Sequence, residues 1–144
     1  MPESLMHAVF GELRWEEESS WWFTQLRLDS GEWLDVIVAP GEADPSTFVE
    51  QAARLFGRAM AAERKLLHEA VRARILDLYN AWRQEDEPEL TAEGLEKQLQ
   101  LTFVRLDAIA PLVLSYWPGD VFGGHCVDMT VDEQLRVTGV GLVG

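Results

Sequence analysis

Residues 45–84 carry the feature that most constrains the fold of this chain, because a long block with helical spacing separates two blocks with strand spacing. Asp44 can cap the free amides at the start of a helix, and Pro45 suits the first helical position because its missing N–H would be unpaired there. Apolar residues then recur every three or four positions up to Trp82. This order predicts an α+β fold with a mostly antiparallel sheet and the helices packed on one of its faces.

The apolar stripe of the helical block slips by about one position near Leu66. Gly57 lies inside the same block, where glycine stabilises a helix less than alanine does. Together these features predict either two packed helices or one long helix that bends, and we favour two segments. A further short helix is predicted over residues 92–100, with Thr91 as its cap, after an acidic linker that contains a proline.

The blocks on either side of the helical region contain short strand-like runs separated by turn residues, and the second run also has the two-residue period of a strand. Three strand-like segments come first and predict an antiparallel meander: residues 8–14, 21–28 and 33–39. In the second of them Trp22, Thr24, Leu26 and Leu28 share one face and Trp21 lies on the other, and we expect one of the two faces to be mostly buried. Four more strands are predicted after the helices: residues 101–106, 112–117, 124–131 and 135–142.

Chain length and cysteine content limit the class of protein. A chain of 144 residues with 47% hydrophobic residues can bury an ordinary core, so we expect one domain over residues 1–144. Its single cysteine, Cys126, can form neither an internal disulfide nor a zinc site of several thiolates. The sequence shows neither an export signal nor an apolar run long enough to cross a bilayer. We therefore expect a cytoplasmic protein that does not enter the membrane.

The charge of the chain is strongly acidic and unevenly distributed. The formal net charge of −13 argues against nucleic-acid binding, which depends on lysine and arginine contacts to phosphate. Residues 1–44 and 85–144 each carry a net charge of −8, whereas residues 45–84 carry +3. Either these segments attract one another within the fold or present opposite faces, or the acidic surface meets a basic partner.

Signals for catalysis are weak. Asp120 and His125 flank a turn at Gly123 and Gly124, where a carboxylate could orient an imidazole as a general base. The alternative is that His125 bonds to the backbone and that the neighbouring Cys126 is a small core residue. Nothing predicts a metal or another cofactor, because the three histidines are widely spaced and no phosphate-binding loop is present.

Four short motifs together resemble an uncharacterised bacterial family of unknown function. They are Phe10-Gly11-Glu12-Leu13, Leu78-Tyr79-Asn80-x-Trp82, Leu90-Thr91 and Phe122-Gly123-Gly124-His125. The resemblance spans nearly the whole chain and implies no established reaction. It also implies a role of the kind held by small acidic immunity or accessory proteins beside bacterial toxins.

We therefore expect a non-enzymatic binding module that engages a basic protein partner. The predicted partner surface consists of three consecutive acids, Glu16, Glu17 and Glu18, with Trp21 or Trp22 as the aromatic anchor. One alternative is a small enzyme or ligand-binding domain centred on Asp120 and His125. Another is a homo-oligomer that associates through an exposed sheet edge or a tryptophan patch.

Overall fold

An eight-stranded sheet forms the frame of the computed structural model, which describes residues 3–144. Its strands are β1 (Ser4–His7), β2 (Gly11–Glu16), β3 (Trp21–Arg27), β4 (Trp33–Ala39), β5 (Gln100–Asp107), β6 (Leu112–Trp117), β7 (Cys126–Val131) and β8 (Val137–Val143). The helices are α1 (Pro45–Ala70), α2 (Leu76–Trp82) and α3 (Ala92–Gln98), with a π-helical turn (Val71–Ile75) between the first two.

The strands lie side by side in the order in which they occur along the chain. Six of the seven neighbouring pairs are antiparallel, and β4 and β5 are parallel because the helices between them carry the chain back to the end of the sheet where β4 begins. The predicted α+β class, with a mostly antiparallel sheet, is therefore confirmed.

One face of the sheet and the apolar side of the helices form a common core. Alternate residues of β4, such as Leu34 and Val36, are at most 1% exposed on this face. The same core cluster contains apolar residues of the helical block, among them Phe56, Leu67 and Ile75. The opposite face of the sheet, which we call the open face, is covered by none of the helices of residues 3–144, so its side chains are mostly half-buried or exposed.

The long helical block is one continuous helix, so the favoured prediction of two segments is wrong. Asp44 caps its start as predicted, with Oδ2 accepting a hydrogen bond from the Thr47 amide at 3.0 Å. The backbone stays helical through Ala70, Val71 and Leu76, and the slip in the apolar stripe is absorbed by the π-helical turn. A π-helical turn adds a residue without breaking the run of hydrogen bonds, which lets apolar residues on both sides of it face the core.

The first strand, β1, was not predicted. The strand predicted at residues 8–14 begins at Gly11 and ends at Glu16. Residues 8–10 form a turn in which Phe10 is completely buried, and β2 begins at Gly11 with a positive φ of 68°. The four residues of β1 lie at the edge of the sheet and have only a weak alternation of burial. Thr91 caps α3 as predicted, and the helix ends at Gln98.

Candidate functional site

A cleft of about 790 Å³ lies at one end of the core, between α1, α3 and the turn that joins β3 to β4. Its walls include a set of apolar side chains that also belong to the core or pack against it: Leu34, Phe56, Met60, Leu67, Leu99 and Leu101. Charged side chains such as Arg27, Glu32 and Lys97 line the cleft as well. A concave space that combines apolar walls with polar groups can hold a small ligand.

Two polar side chains meet inside this cleft. Tyr116 of β6 is fully buried, and its hydroxyl donates a hydrogen bond to Glu63 Oε2 of α1 at 2.7 Å. Burial raises the pKa of the Tyr116 hydroxyl far above its usual value, and the charge of Glu63 adds to that effect. The tyrosine is therefore a permanent donor at neutral pH, and it fixes the position of the Glu63 carboxylate.

Several charged groups around the cleft are already engaged with neighbours. Glu96 accepts a hydrogen bond from Arg72 at 2.8 Å and lies 3.1 Å from the ring of His68. The hydrogen bond from Arg72 is the largest cause that holds the pKa of Glu96 below its ordinary value. Lys97 pairs with Glu93, and the guanidinium of Arg27 lies over the ring of Trp33.

The remaining charges at the cleft leave an excess of negative charge. Within residues 3–144, neither the second oxygen of Glu63 nor the carboxylates of Asp29 and Glu32 receive a side-chain hydrogen bond or an ion pair. Two cations of the cleft lining, Arg27 and Arg64, also lack such a partner in the same part of the chain, so the three free carboxylates exceed them by one charge. The arrangement is therefore suited to receive a positive group.

Sequence reasoning missed the pair of Glu63 and Tyr116, although each residue had a local signal. Glu63 occupies a position of the helical stripe that also contains Phe56, Met60 and Leu67, so a charged residue stands on a side that should be apolar. Tyr116 follows Leu112 and Leu114 on the buried face of β6. Because 53 residues separate Glu63 from Tyr116 in the sequence, neither signal predicts that the two side chains meet.

The acidic segment predicted as a partner surface forms the exposed turn between β2 and β3. Glu16, Glu17 and Glu18 are all exposed, and Glu17 accepts a hydrogen bond from the Trp15 indole at 2.8 Å. Trp22 lies in the core with 1% of its surface exposed, and its ring packs edge-on against Trp15. Trp22 is therefore not available to a partner, because its face of the sheet is covered by the helices.

Trp21 lies on the open face, opposite Glu16 in the register of β2 and β3. The guanidinium of Arg105 lies 5.3 Å from the centre of its ring, and Asp107 holds that guanidinium with contacts of 3.0 and 2.9 Å. Strand alternation places four more aromatic residues on the same face: Phe23, Trp33, Phe103 and Trp117. Trp33 and Trp117 are 54% and 44% exposed.

Asp120 and His125 form no ion pair with each other among residues 3–144. The ring Nδ1 of His125 lies 2.9 Å from the backbone oxygen of Gly144, which matches the structural alternative for this histidine. Asp120 is exposed and lies beside a smaller cavity of about 290 Å³, next to Tyr79 and Trp82. Cys126 is half-buried on the open face rather than in the core. No hydrogen bond joins Asp120 to His125 in the part of the chain that the structure describes.

Two further features of residues 3–144 bear on the kind of site. No three side chains of His, Cys, Asp or Glu among them come together in a group that could hold a metal ion. None of their helices is long and apolar enough to cross a lipid bilayer.

The fold and these surfaces define an α+β protein with an open aromatic sheet face and an acidic cleft on the helical side. The chain belongs to a bacterial family described as uncharacterized protein conserved in bacteria (DUF2262), whose model matches residues 7–142. The resemblance found from the four short motifs is thereby confirmed at the level of an uncharacterised bacterial family. Neither a curated protein nor a solved structure matches the chain.

Proposed function

We propose that this protein is a non-enzymatic binding module that holds a basic protein partner on its open face. The observation that carries the proposal is Trp21, which lies on this face beside the acidic turn of Glu16, Glu17 and Glu18. An immunity or accessory protein that holds a basic bacterial toxin is one protein of this kind.

The aromatic residues of the open face support this proposal. Tryptophan, tyrosine and arginine are enriched among the residues that dominate binding energy at protein interfaces. Arg105 lies over Trp21 and is itself held by Asp107, so the indole is fixed before any partner arrives. A side chain that is already ordered loses little conformational entropy on binding, which favours affinity.

Charge supports a basic rather than an acidic partner. Glu12 and Glu16 of β2 are exposed on the open face, and Glu17 and Glu18 extend its acidic edge. The net charge of −13 adds a field of the same sign over the whole molecule. Such a field speeds the approach of a positive partner and slows that of a negative one.

The test begins with a partner isolated from lysate of the native bacterium on the immobilised protein, then purified and identified. Its association and dissociation rates are measured by biolayer interferometry at several salt concentrations. The test variant reverses Glu16, Glu17 and Glu18 to lysine. The control variant reverses three exposed acids away from the open face, Glu42, Glu85 and Asp86, and changes the net charge by the same amount.

We expect the turn variant to lower the association rate about tenfold at low salt, with a much smaller effect of the control variant. Trp21→Ala should instead raise the dissociation rate, by about 30-fold if this indole is a dominant contact. Equal rates for the wild type and the turn variant would contradict the proposed surface. A protein that only binds its own copies in sedimentation runs would favour self-association in place of a basic partner.

A further inference from the structure

We propose that the cleft between α1, α3 and the β3–β4 turn is a binding site for a guanidinium or alkylammonium group on an apolar stem. This inference goes beyond the proposed function, because the cleft lies on the helical side of the sheet and the partner surface on the open face. Either site can therefore fail its test without affecting the other.

The carboxylate of Glu63 is the central feature of the site. One of its oxygens accepts the hydroxyl of Tyr116 at 2.7 Å, and the other has no donor among residues 3–144. A helix position surrounded by Phe56, Met60 and Leu67 would ordinarily hold an apolar side chain. A fixed carboxylate with a free oxygen in an apolar wall is suited to a ligand that supplies an N–H and a positive charge.

The charge balance of the rim favours the same class of ligand. Asp29 and Glu32 add two carboxylates without side-chain partners in the described chain. Together with Glu63 they exceed by one the two cations of the lining without an ion pair, Arg27 and Arg64. Glu96 is neutralised by Arg72, so it neither adds to this excess nor competes for the ligand. The cleft thus retains a net negative charge that a monovalent cation can reduce.

The shape of the cleft favours an apolar stem behind the charged group. Leu34, Leu99 and Leu101 line the cleft together with the apolar residues of α1. Its volume of about 790 Å³ lies within the range of sites that hold small ligands or single side chains. An arginine or lysine side chain and a free alkylamine share this chemistry, so the experiment must separate them.

The methyl group of Met60 allows a direct test, since Met60 lines the cleft. Protein labelled with carbon-13 at the methionine methyl groups is titrated with butylguanidine and, in parallel, with butylurea, which has nearly the same shape but no charge. The methyl signal of Met129, which is completely buried in the core, serves as the internal control. Butylamine and N-acetylarginine methylamide, which each carry one positive charge, then distinguish a free alkylamine from an arginine side chain within a peptide.

We expect butylguanidine to shift the Met60 signal with a dissociation constant of about 1 mM, as for a small fragment, and butylurea to leave it nearly unchanged. Glu63→Gln should weaken binding tenfold or more, because it removes the charge that the ligand meets. Arg64→Gln changes only an exposed residue and should strengthen binding about twofold. Whichever binds more tightly, the free alkylamine or N-acetylarginine methylamide, identifies the source of the ligand.

Three results would overturn the inference. They are the absence of a Met60 shift with any cationic probe, equal shifts with butylguanidine and butylurea, and unchanged binding in the folded Glu63→Gln variant. If Glu63→Gln does not fold, the response to Arg64→Gln decides the question, and weaker binding in that variant contradicts the proposed charge preference.

Discussion

Replacing Tyr116 by phenylalanine should cost more stability than the same replacement at the other tyrosine, Tyr79. Both hydroxyls donate hydrogen bonds of 2.7 Å, but Tyr116 donates to the Glu63 carboxylate and Tyr79 to the backbone oxygen of Pro88. A hydrogen bond to a charged group contributes about 1.5–3 kcal/mol, and one to a neutral group about 1 kcal/mol. We therefore expect a loss of about 2 kcal/mol for Tyr116→Phe and about 1 kcal/mol for Tyr79→Phe.

The measurement is urea unfolding at pH 7, monitored by tryptophan fluorescence. An unchanged m-value indicates that the folded and unfolded states of the variant are as compact as those of the wild type. A double-mutant cycle of Tyr116→Phe and Glu63→Gln should give a coupling of about 1 kcal/mol, because the glutamine amide still accepts a neutral hydrogen bond and the cycle reports the difference between a charged and a neutral acceptor. Tyr79→Phe combined with Glu63→Gln should give additive losses. Equal costs for the two tyrosines, or no coupling with Glu63, would refute the role assigned to this pair.

The decrease of the free energy of unfolding at alkaline pH provides a second test of Tyr116 and its surroundings. Burial raises the pKa of Tyr116 above its ordinary value of about 10 in the unfolded chain. The folded state then keeps its proton where the unfolded state loses it, so stability is fully present below pH 10 and falls as the pH rises above that value. In the Tyr116→Phe variant, stability should fall less steeply as the pH rises above 10. An unchanged slope of stability against pH would show that Tyr116 does not cause the fall.

The remaining predictions concern the helices. Gly57→Ala should stabilise the protein by about 0.5–1 kcal/mol in urea unfolding, because the position is exposed and helical and an added Cβ meets no atom within 4 Å. A loss of stability there would show that the glycine has a role the structure does not reveal. Thr91→Ala should cost about 1 kcal/mol by removing the cap of α3, and Thr91→Ser should restore most of it. The pKa of Glu96 lies below its ordinary value chiefly because of the hydrogen bond from Arg72, so the folded carboxylate adds stability that is fully present above that ordinary value. This stability is lost as the pH falls below the ordinary value and through the lowered pKa of the folded state. Glu96→Gln should therefore make the loss of stability in acid shallower, and an unchanged acid titration of stability would contradict the assignment.

Much of the fold follows from short-range features of the sequence. Asp44 and Thr91 cap their helices as predicted, because a cap needs only a backbone amide three residues away. The β-branched and aromatic residues of 33–39, and the strand-like run of 112–117 between Pro111 and Pro118, predicted both strands with their final bounds. Where alternation was weak, as in the edge strand β1, the prediction failed because little burial distinguishes the two faces.

The π-helical turn shows the limit of a local pattern. The slip of the apolar stripe near Leu66 indicated that the spacing changes, but a break and a continuous helix with one extra residue produce the same slip. Packing decided between them, because a continuous helix keeps its backbone hydrogen bonds while Val71 and Ile75 both reach the core.

The sequence by itself determined the class of fold, the caps, most strands and the side of each strand on which a residue lies. It also determined that Trp21 and Trp22 point to opposite faces, since successive residues of a strand alternate. Only the tertiary structure decided which face the helices leave open, and only it brought Glu63 of the helix to Tyr116 of the sheet across 53 residues. The physical reason is that capping and alternation depend on neighbours within a few residues. The contact between Glu63 and Tyr116 depends instead on the register of the strands and on how α1 packs against the sheet.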